Sequence, residues 1–239
     1  MIRLIRGDLG RILKKKSFYV LIILNAVLIL VRWNGESAAE QIDNAQKAAA
    51  FLGLTLACVA IFSAVYGDEQ KSGSMQAVIG RGLSRKKVVL GKLIDSAILL
   101  FFTNVLFYLC ELINILLFPE FGVSSRQISL LFLYFVFVFL RGVGYIAFSA
   151  LFLFASDSIA SGMVVLITCC AFGKLILQWA QDKTRLPVYD LCFDGLLDRS
   201  YAVFQSGGFG WQLFIALLVF GAGSTAVTVL IFNRKELEL

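Results

Sequence analysis

Four ionisable residues stand inside long apolar runs: Asp95, Glu111, Arg141 and Lys174. A charge at bilayer depth is costly, so it faces protein or water and finds a partner. Asp95 falls at the inner end of the third run, where it reads as an interfacial charge or as the partner of a nearby lysine. Glu111 lies deeper in the same run, Arg141 near the middle of the fourth, and Lys174 in the outer half of the fifth. The third and fourth runs are antiparallel neighbours. Counted from their shared outer loop, Glu111 and Arg141 differ in depth by only several Å, at about 1.5 Å per helical residue. That gap is within reach of an arginine and predicts a Glu111–Arg141 ion pair. Two roles stand for it: a clamp between helices, or a polar element lining a path through the bundle.

Other chemistry is poorly served. There is no histidine, which removes the commonest general base and metal ligand. No two carboxylates share a face in a way that suggests acid–base work. The five cysteines show no metal spacing. Four of them sit in apolar runs as small hydrophobes. Cys110 and Cys192 both fall toward the outer face, which leaves open whether they pair. The glycines and bases between Gly73 and Arg85 lack the GxxxxGK[ST] spacing of a phosphate-binding loop. Nothing in the chain reads as an ATP or nucleic-acid site, and catalysis by this chain alone is not expected.

The elements that must hold those charges are membrane helices. Of 239 residues, 59% are hydrophobic and 16% charged, and only two are proline. Mean hydropathy is +0.84. Such a chain needs lipid to cover its apolar surface. The continuous runs exclude a β-barrel, whose segments are short and alternating. The expected fold is all-α, with six spans at about 17–33, 48–66, 93–118, 128–155, 159–180 and 211–232, each near the 17–25 residues that cross a bilayer. Residues 17–239 read as one transmembrane domain. Before it, residues 1–16 place Ile2, Ile5, Leu9, Ile12 and Leu13 at helical spacing among Arg3, Arg6, Arg11, Lys14 and Lys15. That pattern is an amphipathic helix in the interface plane, or a basic flank that sets topology. No cleavable leader is expected, since the first run lacks a small-residue cleavage site and is followed by further spans.

Charge sets the orientation. With both termini in the cytoplasm, inner segments carry fourteen Lys and Arg and outer loops six, as the positive-inside rule requires. The outer segment Asn34–Lys47 is polar and could prolong the second span as helix. Gln181–Gly210 mixes large apolar residues with Asp190, Asp194, Asp198 and Arg199. It reads as short amphipathic or re-entrant helices dipping into the outer leaflet. Asn25, Asn104 and Asn114 are candidates for hydrogen bonds between helices, and Gly142 and Gly144 for close helix contact.

The remaining feature is a basic island, Gly67–Lys92, between two apolar runs. Met75, Val78 and Ile79 form a short amphipathic patch, Gly80 and Gly82 end it, and Ser84 can cap the next helix. Arg85, Lys86 and Lys87 then face lipid headgroups. The order is an acidic residue, Glu69; Gly73 with the hydroxyl of Ser74; a turn; Ser84 and Arg85; then Lys92 before the third span. It resembles the membrane subunits of ABC-2-type transporters, the bacterial exporter permeases, although Ser74 stands where that family usually has Thr. The resemblance extends over the chain through the basic amphipathic N-terminus, six spans, both ends inside and a longer outer segment between spans five and six.

The resemblance implies that about Gly67–Ile79 is a coupling helix docking on a separate ATPase, with contact residues Asp68, Glu69, Gly73, Ser74, Met75, Val78 and Ile79. Ser84, Arg85 and Lys92 would anchor it, and the N-terminal helix would be a second contact. It further implies two ATPase copies, a second permease chain identical or related to this one, and ATP and Mg on the partner alone. Small size points to the bacteriocin or lantibiotic self-protection, peptide-toxin and drug-export branches. The expected place is the bacterial cytoplasmic membrane, and the expected substrate is a hydrophobic or amphipathic peptide or drug. Lipid, polysaccharide or ion export remains an alternative, as does a membrane sensor or assembly partner that does not transport.

Overall fold

The computed structural model describes residues 2–31, 38–72, 84–117 and 123–234. Among them every element is helical. α1 is Ile2–Ile12 and α2 is Lys16–Val31. α3 (Ala38–Ala48) continues through a π-helical turn, Ala49–Gly53, into α4 (Leu54–Ser72). α5 is Arg85–Leu117 and α6 is Ser125–Ser156. α7 (Ile159–Ile167) passes through a second π-helical turn, Thr168–Phe172, into α8 (Gly173–Thr184). Two short helices follow, α9 (Val188–Leu191) and α10 (Phe193–Gln205). The last helix is α11 (Trp211–Ala216), π-helical Leu217–Ala222 and α12 (Gly223–Arg234).

Five of these are long and apolar enough to cross a membrane: Ile42–Gly67, Arg85–Leu117, Ser125–Ser156, Ile159–Thr184 and Trp211–Arg234. They match the expected second to sixth spans. The apolar part of α2, Phe18–Leu30, is shorter. Helix over Ala38–Ala48 prolongs the second span, as the polar run after Asn34 predicts.

α4 is the axis of the bundle. Ala57, Cys58, Ala60, Ile61, Phe62, Ala64, Val65 and Tyr66 are all buried, and between Leu54 and Gly67 only the stripe Thr55, Leu56, Val59 and Ser63 is half-buried. Alanines on this helix let α2, α5 and α7 approach closely, because packing rather than hydrophobicity holds helices together in lipid. The outward surface is apolar too: Phe102, Leu117, Leu175, Leu218 and Trp211 are exposed. An apolar exterior over an apolar core is the signature of a lipid-facing bundle.

The three asparagines each bridge helices through a backbone carbonyl. Asn25 Nδ2 donates to Gly53 O at 3.0 Å, Asn104 to Phe135 O at 2.9 Å and Asn114 to Ile29 O at 3.0 Å. Gly53 ends the first π-helical turn, where a change of hydrogen-bond register leaves a carbonyl to be satisfied. α6 begins at a full capping box in which the Ser124 hydroxyl and the Gln127 side chain cap each other's backbone. It then runs unbroken. Two glycines on it make the predicted close approaches. A Cβ on Gly142 would lie 2.6 Å from Leu100 and 2.9 Å from Leu54, and one on Gly144 would lie 2.3 Å from the Phe193 ring.

After α8 the chain turns back. Arg185 takes a left-handed conformation, φ 58°, and α9 returns along α8 with Gln181 Oε1 accepting from Tyr189 N at 2.9 Å. α10 starts level with Gly144 of α6 and runs along it, so that Tyr201 stacks edge-on against Tyr134 and Phe137. Gly195 is required at the α9–α10 elbow, where a Cβ would meet Tyr189 O at 2.0 Å.

Candidate functional site

At mid-depth, α6, α8, α9 and α10 converge on a charge network. Arg141 from α6 is its centre. Its Nη2 donates to Asp198 Oδ1 at 2.5 Å, and its Nε lies 3.1 Å from Asp194 Oδ1, an ion pair rather than an aligned hydrogen bond. Lys174 from α8 reaches Asp198 Oδ2 at 2.8 Å. Tyr145 donates to Asp194, and Tyr189 donates to Asp198. Two cations and two carboxylates thus balance. The Arg141 side chain is only 12% exposed, while Lys174 is 54% exposed.

The two carboxylates of α10 are not equivalent. Burial raises the pKa of Asp194, and the neighbouring Arg141 guanidinium and Tyr145 hydroxyl only partly offset it. Burial would also raise Asp198, but Arg141 and the hydrogen bonds from Lys174 and Tyr189 outweigh it, so Asp198 is held below the usual carboxylate range. Tyr189 is raised by burial and by its bond to Asp198.

The network forms one wall of a cavity of about 420 Å³. The cavity is also lined by Ala50 and Phe51 of the first π-helical turn and Cys170 and Ala171 of the second. Both wide turns therefore face the same space, and π-helical turns cluster at functional sites. The arrangement can hold a molecule with apolar parts and a few polar or charged groups. Among the described residues no group of three His, Cys, Asp or Glu side chains could hold a metal. All five cysteines are free thiols, so Cys110 and Cys192 do not pair.

This corrects the expected Glu111–Arg141 pair. Arg141 is on the face of α6 that meets α10, and its partners are Asp194 and Asp198. Glu111 is buried on α5, one turn before Asn114 and its bond to α2. The two residues are not level: Leu100 meets Gly142, Phe101 packs on Phe139 and Asn104 bonds to Phe135, so Arg141 stands beside the middle of α5, about 15 Å along the helix from Glu111 at 1.5 Å per residue. The view that no carboxylates share a face is also corrected: Asp194 and Asp198, four apart on α10, both reach Arg141. Their spacing was visible in the sequence, with Asp190 one turn earlier. Asp190 instead pairs with Arg199 at 2.6 Å.

A second cluster lies at the other end of the bundle. Lys92 is 1% exposed, and its Nζ is 2.6 Å from Asp8 Oδ2 of α1. Lys15 Nζ, just beyond α1, donates to Ala64 O of α4 at 2.9 Å. Asp95 is fully buried beside this cluster rather than facing interfacial water. Lys92, expected to anchor the loop, is held by Asp8 of α1. The reason is that α5 starts at Arg85, so Lys92 and Asp95 are two to three turns inside a helix that α1 covers. Asp8 was not singled out by its sequence context, a lone acid among bases.

The basic island loses both ends to helix. Asp68 and Glu69 are in the last turns of α4, continuous with the span, not on a helix of their own. Ser84 precedes α5 and its carbonyl accepts from Lys87 N at 2.9 Å and Val88 N at 3.2 Å. Arg85 does not face headgroups: its Nη1 donates to Phe232 O at 2.7 Å and Asn233 O at 3.1 Å, and the guanidinium lies 5.6 Å from the Phe232 ring centre. It caps the carbonyl end of α12, where a cation is favoured. Gly73, Ser74, Met75, Val78 and Ile79 lie outside the described residues.

In comparisons with known proteins, no family model matches this chain, and no curated protein matches it either.

Proposed function

We propose that the chain is the permease subunit of an ATP-driven exporter of the ABC-2 type. In this reading six helices cross the bacterial cytoplasmic membrane, α2 included, with both termini in the cytoplasm. α9 and α10 form a re-entrant pair entering from outside. The end of α4 and the residues after it are the docking element for a separate ATPase, present in two copies, and a second permease chain completes the pathway. ATP and Mg act on the partner. The substrate is a hydrophobic or amphipathic peptide, bacteriocin or drug.

The observation that carries the reading is the way α1 is tied to both helices flanking the basic island. Lys92–Asp8 joins it to α5 and Lys15–Ala64 joins it to α4. An amphipathic basic helix, fastened to the two spans that emerge at the docking segment, is built to pass a push from a bound partner into the bundle. The mid-depth cavity, lined by apolar, aromatic and charged side chains together, supports an amphipathic substrate.

The test is co-purification with the ATPase subunit from the same operon and reconstitution in vesicles. ATPase activity should rise with substrate, and Glu69→Arg or deletion of 73–79 should uncouple it by tenfold or more. Transport unchanged by that deletion would remove the docking assignment. Absence of any ATPase partner together with a stable complex with another protein would favour a sensor or assembly role.

A further inference from the structure

A groove of about 790 Å³ runs along the outside of the bundle between α5, α6 and the last helix. Its walls are apolar: Leu90, Leu93, Val143, Ala147, Ala226 and Val229. Its floor is opened by the third π-helical turn, where Gly221 offers no side chain and a Cβ would meet nothing within 4 Å. Along the last helix it extends from Leu217 to Asn233, about 24 Å at 1.5 Å per residue. One leaflet of hydrocarbon is about 15 Å deep.

The groove has a polar end and an apolar end. Lys86 and Asn233 close the end that carries the start of α5, and both are exposed. Lys87 and Arg234, also exposed, stand beside them. Among the described residues no acidic side chain lines the groove. Arg85 is committed to the carbonyls of Phe232 and Asn233 at the same end, so it fastens the two helices together while Lys86 is left facing outward. Basic pockets between membrane helices on the cytoplasmic side recognise anionic headgroups.

We infer that this groove is a binding site for one anionic phospholipid of the inner leaflet, with an acyl chain along the π-helical turn and its phosphate on Lys86. The chain supplies the apolar contact that Gly221 withholds, and the cationic end selects the headgroup. The lipid would fill the seam between α5, α6 and α12 and keep the last helix seated against them. The leaflet assignment rests on the orientation proposed above; lipid retention itself does not require an ATPase partner.

The experiment is native mass spectrometry of the full-length chain in detergent, titrated with phosphatidylglycerol or phosphatidylcholine of the same acyl chains. One phosphatidylglycerol should be retained per chain, at least fivefold over phosphatidylcholine. Gly221→Leu should abolish retention at unchanged helix content, and Ala226→Phe should do the same by filling the groove from its wall. Lys86→Gln should keep acyl binding but lose the preference for phosphatidylglycerol. Equal retention of both lipids by the wild type would mean annular lipid only and would overturn the site, as would phosphatidylglycerol retention untouched in both filled variants. A dimer of the wild type that Gly221→Leu and Ala226→Phe dissociate, with no lipid bound, would make the groove a seat for a second copy. Loss of transport with an intact lipid adduct would count against the exporter reading and leave the site standing.

Discussion

Arg141 is the residue on which the mid-depth network depends. Removing its guanidinium leaves two carboxylates four residues apart on α10 with their shared buried cation gone. Breaking a buried pair from one side typically costs about 3–5 kcal/mol, so Arg141→Gln should lower thermal stability in detergent by that order. The two carboxylates should then part company with pH. Asp194 has a raised pKa in the fold, so its ionised form is disfavoured there; as pH falls through that raised value the fold loses nothing, and protonated Asp194 comes to resemble asparagine. Asp198 has a lowered pKa, so its contribution is present above the unfolded value of about 3.9 and is lost only as pH falls below it. The melting difference between wild type and Asp194→Asn should therefore shrink on acidification from neutral pH, while that for Asp198→Asn persists to lower pH. Differences that shrink together would refute the assigned inequality.

At the scale of elements, the contact that places α10 is the one between Gly144 and Phe193. The ring of Phe193 occupies the space a side chain at Gly144 would fill, at 2.3 Å from its Cβ. Gly144→Val must displace the ring and with it the N-terminal turn of α10, which carries Asp194. Overpacking of this kind costs about 1–3 kcal/mol, and here it should also raise proteolytic cleavage around α9 and α10 several-fold while helix content is kept. Unchanged cleavage would mean that α10 is held by the charge network alone. The three π-helical turns belong to this scale as well. Two open onto the charged cavity and the third onto the lateral groove, so each widened turn coincides with space beside the helix that contains it.

At the scale of the whole molecule, the number of crossings decides the topology. Five helices are long and apolar enough to span, and α2 with its apolar stretch Phe18–Leu30 is the sixth in the proposed arrangement. Six crossings put both termini on one side, five put them on opposite sides. Reporter fusions at the two ends should both read cytoplasmic, and a reporter between α2 and α3 should read external. Termini on opposite sides would reduce α2 to a helix that does not cross. Although the helices of the second and third spans begin six and eight residues earlier than expected, the residue pattern alone was enough for the helical membrane class, for the bounds of the last three spans within four residues, for the close approaches at Gly142 and Gly144, and for the three asparagine bridges. These follow from local properties: run length, side-chain size, and the need of a lone amide in lipid to find an acceptor. The ion pairs were not legible. Which charge meets which depends on rotation about helix axes, on the turn-back after Thr184 that brings Asp194 and Asp198 beside Arg141, and on the covering of Lys92 by α1. Those are relations between segments distant in the chain. They are settled when the helices pack, because packing fixes the offset between neighbouring helices, and a charge at bilayer depth takes the partner that this brings within reach.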